Sequence, residues 1–182
     1  MSCFIENGLT LGCRDAAIGG IKAVYILGGS SASTISSITT DADDQITAIS
    51  GTGVMYKFEL VKGSSSFEES IAVNATSNSV VYQPSLTLNL TKYDNVLRNA
   101  FFELTKQPEF FVVVLDNNGR YWFPGEVNGL TITDGSVFTG ASFTDANGST
   151  LTASGAEPSA TKLIEITTTI EDVFSGITFD AV

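Results

Sequence analysis

The sequence predicts an all-β domain, a β-sandwich or small barrel, with one flanking α-helix. Three observations predict it. Ser79 to Thr91, SVVYQPSLTLNLT, alternates along its whole length: Val80, Tyr82, Pro84, Leu86, Leu88 and Leu90 are apolar. The intervening positions, apart from Val81, are polar and uncharged. Such a period of two separates a core face from a wet face on one strand. Turn signals at Asn117-Asn118-Gly119, Asn128-Gly129, Asp134-Gly135 and Asn147-Gly148 punctuate the second half at the rhythm of short strands. Finally, the only sustained helical period runs over 94–106.

Residues 1–20 carry Asn7-Gly8, Gly12 and Gly19-Gly20 and are expected to form an arm with turns, Leu9 to Leu11 hinting at a short strand. Ile21 to Leu27 is the first clear strand, and Gly28-Gly29 ends it. Ser30 to Thr40 is expected to be a loop. Asp41, Asp43 and Asp44 follow; they lack the glycine and distal glutamate of a calcium loop, so a solvated turn is expected. Gln45 to Ser50 is a strand closed by Gly51 and Gly53. Val54 to Lys62 is another, with Tyr56, Phe58 and Leu60 on one face and Lys57 and Glu59 on the other.

After Gly63 to Ser66, residues Phe67 to Asn74 alternate again. Glu69 falls on their apolar side, which predicts a strand end or a cationic partner. Residues 54–91 thus read as three strands in meander order. Pro84 cannot donate to a ladder and is expected at an edge or bulge. Thr91-Lys92-Tyr93-Asp94 resembles a capping box with Asp in place of Glu. Beyond it Val96, Leu97, Ala100, Phe101 and Leu104 form a helical stripe, and Pro108 bars its continuation. Glu109 to Leu115 is nearly all apolar and predicts a strand buried on both faces. Arg120 to Pro124 returns from the Asn-Gly turn. Leu130 to Thr133, Ser136 to Thr139 and Ser149 to Ala153 are expected as separate short strands. Lys162 to Thr168 is a further strand, Thr169 to Phe174 a helical turn, and Ile177 to Val182 an apolar tail that docks on its own core or on a neighbour. No linker divides the chain, so 1–182 is one domain with arms 1–20 and 161–182.

The 182 residues carry a formal charge of −11 and no histidine. The charge disfavours nucleic-acid binding by phosphate neutralisation and adhesion to anionic lipid. Without histidine the commonest general base and metal ligand are missing. Cys3 and Cys13 alone cannot complete a structural zinc site; a short disulfide loop or, in a reducing cytoplasm, two free thiols are both open. No secretory signal or membrane span is read, and synthesis in a cytoplasm is expected. Ser-His and Cys-His pairings are impossible and no S-x-x-K occurs. Adjacent carboxylates such as Glu68-Glu69 point to opposite faces of a strand. No enzyme, catalytic residue, cofactor or metal site is predicted.

Several stretches resemble virion proteins of tailed bacteriophages, and within them the tail tube family: GLTLGCRD at 8–15, GGIKAVYI at 19–26, LTLNL at 86–90, VVVLDNNGRYW at 112–122 and STLTASGAE at 149–157. The resemblance implies a β-sandwich or small barrel with one flanking helix, whose copies form hexameric rings that stack into a hollow tube conducting DNA. It implies that the partners are further copies of the chain and other tail proteins, that DNA passes without specific binding, and that the chain is assembled in a bacterial host cytoplasm and resides in the virion tail. Glu59, Glu68, Ser70, Ser85, Thr87 and Asn89 are expected to face the lumen. The arms and the 30–44 loop are expected to touch neighbouring subunits. The alternatives are another virion component, such as a capsid decoration protein or tail terminator, and a glycan-binding adhesin module. An adhesin needs grouped exposed aromatics, for which Tyr121 and Trp122 are the candidates.

Overall fold

A computed structural model describes residues 17–28, 34–91 and 94–180. The elements in order are β1 (Ile21–Leu27), β2 (Thr34–Thr40), β3 (Ile46–Glu59), β4 (Ser66–Asn74), β5 (Ser79–Thr91), α1 (Asn95–Thr105), β6 (Val112–Asp116), β7 (Tyr121–Phe123), β8 (Thr131–Phe138), β9 (Gly148–Ser154), β10 (Lys162–Ile164), α2 (Ile170–Val173) and β11 (Phe174–Asp180). The fold is all-β with a flanking helix, as the alternation predicts.

The β1–β6 pair is where the two layers meet. Alternate residues of both strands are apolar, and both faces are buried. Ala23, Tyr25 and Leu27 of β1, with Val113 and Leu115 of β6, face one core. Val24 and Ile26, with Val112 and Val114, face the other. Near-continuous apolar strands of this kind are what burial on two sides demands.

The first sheet closes on itself: β1 pairs β6, β6 pairs β7, β7 pairs β10, β10 pairs β3, and β3 pairs β1. Inside the ring lie the Tyr25 face of β1 and β6, together with Ile46, Ile49, Met55, Phe123 and Ile164. Ile170, Val173, Phe174 and Ile177 from α2 and β11 join the same core. α2 starts at Thr169, whose backbone N–H and hydroxyl both donate to the Asp172 carboxylate. β3 holds the ring by changing partners along its length. One edge takes β2 at Ile46–Thr52 and then β1 at Met55–Glu59; the other takes β10 at Ile46 and then β11 at Ile49–Tyr56.

The second sheet is antiparallel in the order β4-β5-β9-β8. Leu86, Leu88 and Leu90 of β5, with Leu151 and Ala153 of β9, pack onto the outer side of β1 and β6. α1 adds Phe101 and Leu104 to that core. Its N-cap is Asp94, whose carboxylate accepts from the Leu97 N–H at 2.9 Å. Thr91, placed as the cap by the sequence pattern, instead ends β5.

Several expectations need correction. Residues 34–40 form β2, not a loop. β3 runs unbroken through Gly51 and Gly53. Gly51 is there because the Thr34 carbonyl of β2 occupies the place a Cβ would take, a close approach and not a strand end. The three strands of 54–91 are not one meander: β3 belongs to the ring, while β4 and β5 pair in the other sheet. β8 crosses Asp134-Gly135 as a bulge, with its register shifting between Ile132 and Asp134. The predicted strand at 162–168 is only Lys162–Ile164. Pro84 sits where β9 leaves β5: its carbonyl accepts from Gly155 N–H at 3.0 Å, and the pairing with β4 continues past it without a bulge. The arm drawn at 161–182 is, over 162–180, part of the ring as β10, α2 and β11. Of the N-terminal arm, Ile18 and Gly19 are fastened to Asn118 and Asn117 of the β6–β7 turn. The Leu9–Leu11 strand and both cysteines lie outside the described residues.

Two substitutions test this packing. Leu88 is 2% exposed in the inter-sheet core, and Leu88→Ala is expected to cost about 2–5 kcal/mol in urea-unfolding free energy. Ser149 is 1% exposed and its Oγ has no hydrogen-bond partner. Removing an unsatisfied buried hydroxyl relieves its desolvation, so Ser149→Ala is expected to raise stability by about 1 kcal/mol in the same measurement.

Candidate functional site

The feature with most to offer a partner is the outward face of the second sheet. Register fixes its membership. Glu68 opposes Ser85, Ser66 opposes Thr87, and Ser70 opposes Gln83. Thr87 opposes Thr152, Asn89 opposes Thr150, and Ser85 opposes Ser154. On β8 the face continues through Asp134 and Ser136, opposite Thr152 and Thr150. Four adjacent strands therefore present hydroxyls and amides in rows. The only charges among these residues are the carboxylates of Glu68 and Asp134; there is no Lys or Arg.

Five of the six residues expected to share a surface do so: Glu68, Ser70, Ser85, Thr87 and Asn89. Glu59 does not. It ends β3 in the other sheet, opposite Ala23 of β1, at the rim of the groove between β3 and α1. Fully exposed there, it is held by Lys57 at 2.8 Å, whose hydrogen bond and charge lower its pKa. Period two tells which side of a strand a residue takes, not which sheet the strand joins.

Asn89 is occupied by local bonds. Its Nδ2 donates to the Ser64 carbonyl, its Oδ1 accepts from Thr150 Oγ1 at 2.8 Å, and its backbone N–H donates to Ser65 Oγ at 3.0 Å. It pins the β3–β4 connection and β9 to the middle of the face. Ser70 Oγ meets Gln83 Oε1 at 3.4 Å across the β4–β5 pair.

At the root of the β4–β5 hairpin lies a cluster of carboxylates that sequence pattern did not single out, apart from Glu69. Glu157 is 3% exposed. Its carboxylate accepts from the backbone N–H groups of Asn128 at 2.8 Å and Val127 at 3.1 Å. Its own backbone exchanges two hydrogen bonds with Tyr82, so it fastens the 124–130 loop to β5. Burial pushes its pKa up; the two N–H donors oppose this, and Glu126 and Glu69 add to it. Glu69, expected at a strand end or beside a cation, is mid-strand and accepts from the Thr161 N–H and hydroxyl. Lys162 Nζ lies 3.0 Å from Glu126 and 3.4 Å from Asp44. Burial lowers the Lys162 pKa, but the two carboxylates outweigh it, and the net shift is upward.

The acidic turn after β2 uses its own carboxylate: Asp41 accepts from the N–H groups of Asp43 and Gln45. Among the described residues no group of three metal-ligating side chains comes together, and no helix is long and apolar enough to cross a membrane. Tyr121 and Trp122 are half-buried. Trp122 donates to Asp116 at 3.2 Å and packs on Phe67, with centroids 6.1 Å apart. Tyr121 stacks obliquely on Tyr25, whose pKa burial and the neighbouring Tyr121 push up to about 12. These rings are packing groups. Tyr56, Phe102 and Phe143 are exposed but lie apart in the chain, in β3, in α1 and in the connection between β8 and β9.

Compared with protein-family models, with curated proteins and with solved structures, the chain matches none.

The buried Glu157 makes a pH prediction. Its folded pKa lies above the ordinary 4.5, so the folded state resists ionisation more than the unfolded chain does. Its contribution to stability is full below about pH 4.5 and is lost as pH rises through the raised value. Glu157→Gln lacks that loss. Urea unfolding of both proteins is expected to show the variant gaining on the wild type as pH rises from 4.5; a pH-independent difference contradicts the assignment.

Proposed function

We propose that this chain is a structural virion protein: a subunit that self-assembles into rings, stacked as a tail tube through which DNA passes. One observation carries the proposal. The outward face of the second sheet is four strands wide, rich in hydroxyls and amides, free of Lys and Arg, and bordered by acidic side chains on both edge strands. A wall for a moving polyanion needs this chemistry. A basic group would bind phosphate and release counterions, holding the DNA in place. Neutral hydroxyls give no charged contact. Carboxylates repel phosphate within about 8 Å at physiological ionic strength. The net charge of −11 acts in the same sense.

The edges of the same sheet supply the means of assembly. Among the described residues β4 and β8 each have a partner on one side only, so each offers a row of backbone groups for pairing. Joining β4 of one copy to β8 of the next is a head-to-tail contact, and such contacts close into rings when the rotation closes. Glu68, Ser70, Ser85, Thr87 and Asn89 then line the bore, and Glu59 lies away from it. The sequence resemblance to tail tube proteins points the same way. A glycan-binding adhesin is disfavoured by the packed Tyr121 and Trp122.

Negative-stain microscopy of the concentrated protein tests the reading. Rings and open-ended tubes are expected; a monomer at every concentration overturns it. A second measurement addresses the wall. Thr87→Lys with Ser85→Lys is expected to convert an assembly that does not retain DNA into one that does, in a salt-sensitive manner, by filter binding. If the wild-type assembly already retains DNA, the neutral-wall argument fails.

A further inference from the structure

We infer that the distal half of the β4–β5 hairpin docks into the groove between α1 and β3 of a second copy of the chain. The contact runs head to tail, and it extends the stacking proposed above by naming its interface.

The hairpin outruns the layer beneath it. Phe67 and Leu86 are paired across β4 and β5 and pack on the inter-sheet core. The same face continues outward through Ile71 opposite Tyr82 and Val73 opposite Val80. There it meets solvent: Ile71 is 61% exposed, Val73 71% and Val80 44%. Contiguous exposed apolar side chains on one face of a strand pair mark an interaction surface. Packing among the described residues does not require them to be apolar.

The groove is the complementary feature. It measures about 880 Å³ and lies between α1 and the outer side of β1 and β3. Its apolar lining includes Tyr56, Phe58, Leu90, Leu97, Ala100 and Leu104. The helical stripe only partly reaches the core: Phe101 and Leu104 are buried, whereas Val96 is 79% exposed. Among the described residues the rim bears the carboxylates of Glu59, Asp94, Glu103 and Asp180 against one cation, Lys57, which Glu59 already holds.

Charge selects the occupant. A rim of carboxylates repels most of a chain that carries 20 acidic and 9 basic residues. The arm avoids that repulsion, because no residue from Ser70 to Thr91 is charged, and unlike the uncharged stretch 23–40 it carries the exposed apolar side chains Ile71, Val73 and Val80. Position then requires a second copy. Val80 and Leu90 lie toward opposite ends of β5, ten residues apart, which at about 3.3 Å per residue is about 33 Å. An arm therefore cannot fold back into its own groove, but it points away from it as head-to-tail docking demands. Such a contact propagates along an axis.

Cross-linking tests the contact directly. In a Cys3→Ser, Cys13→Ser background, Val73→Cys and Ala100→Cys proteins are prepared separately, mixed at assembling concentrations and oxidised. A disulfide-linked dimer is expected from the mixture and from neither protein alone. A dimer formed by Val73→Cys alone, which is arm-to-arm pairing, overturns the inference, as does a mixture that assembles without cross-linking. A second variant, Ile71→Asp with Val73→Asp, places charge against the acidic rim. Its thermal midpoint is expected to match wild type, since both positions are exposed, while stacks disappear and single rings remain by microscopy. Wild-type-like tubes from this variant overturn the docking but leave the tube reading standing. A wild-type protein that forms neither rings nor cross-links overturns both.

Discussion

The whole structure depends on one strand pair being apolar on both sides. β1 and β6 are a wall shared by two cores: the interior of the closed ring on one side and the space under the second sheet on the other. Burial of each large aliphatic side chain is worth about 1.5–3 kcal/mol, and this pair contributes to both cores at once. A polar residue at Val24 or Val112 would damage the sandwich, and one at Val113 would damage the ring. The two layers therefore stand or fall together, and Phe58 of β3 and Trp122 of β7 add to the core between them.

That arrangement leaves the far face of the second sheet free. β5 needs only Leu86, Leu88 and Leu90 to hold it down, because β1 and β6 already present a continuous apolar surface to them. Its other side has no packing duty and can consist of Ser, Thr and Asn. The network of Asn89 with Ser64, Ser65 and Thr150 fixes the middle of that face without charge. The ring does complementary work at the other side of the molecule. β3 exchanges β2 for β1 and β10 for β11 along its length, so the C-terminal segment is built into the ring.

Much of this was legible in the chain. Strict alternation located β5, the doubly apolar run located β6, and the helical stripe located α1, because each signal arises from burial on a known period. Five of the six residues assigned to one surface share it for the same reason. The losses have physical causes as well. β2, TISSITT, has Ile35 and Ile38 three residues apart, out of phase for a regular strand, because a register shift falls between Ile35 and Ser37. Gly51 and Asp134-Gly135 look like terminators, yet one is a close strand approach and the other a bulge. Alternation could not place Glu59, since a strand's faces do not name its sheet. The Glu157 cluster depends on residues far apart in sequence, and only the fold assembles it.

The central claim is that the neutral face of the second sheet becomes an enclosed wall when copies assemble. Thiol accessibility measures this most directly. With Cys3→Ser, Cys13→Ser and Thr87→Cys combined, a small maleimide and a maleimide on a bulky polymer are compared before and after assembly. The account predicts that both reagents label the dispersed protein and that assembly blocks the bulky one while the small one still reacts. Equal labelling by the bulky reagent in assembled and dispersed protein would contradict it.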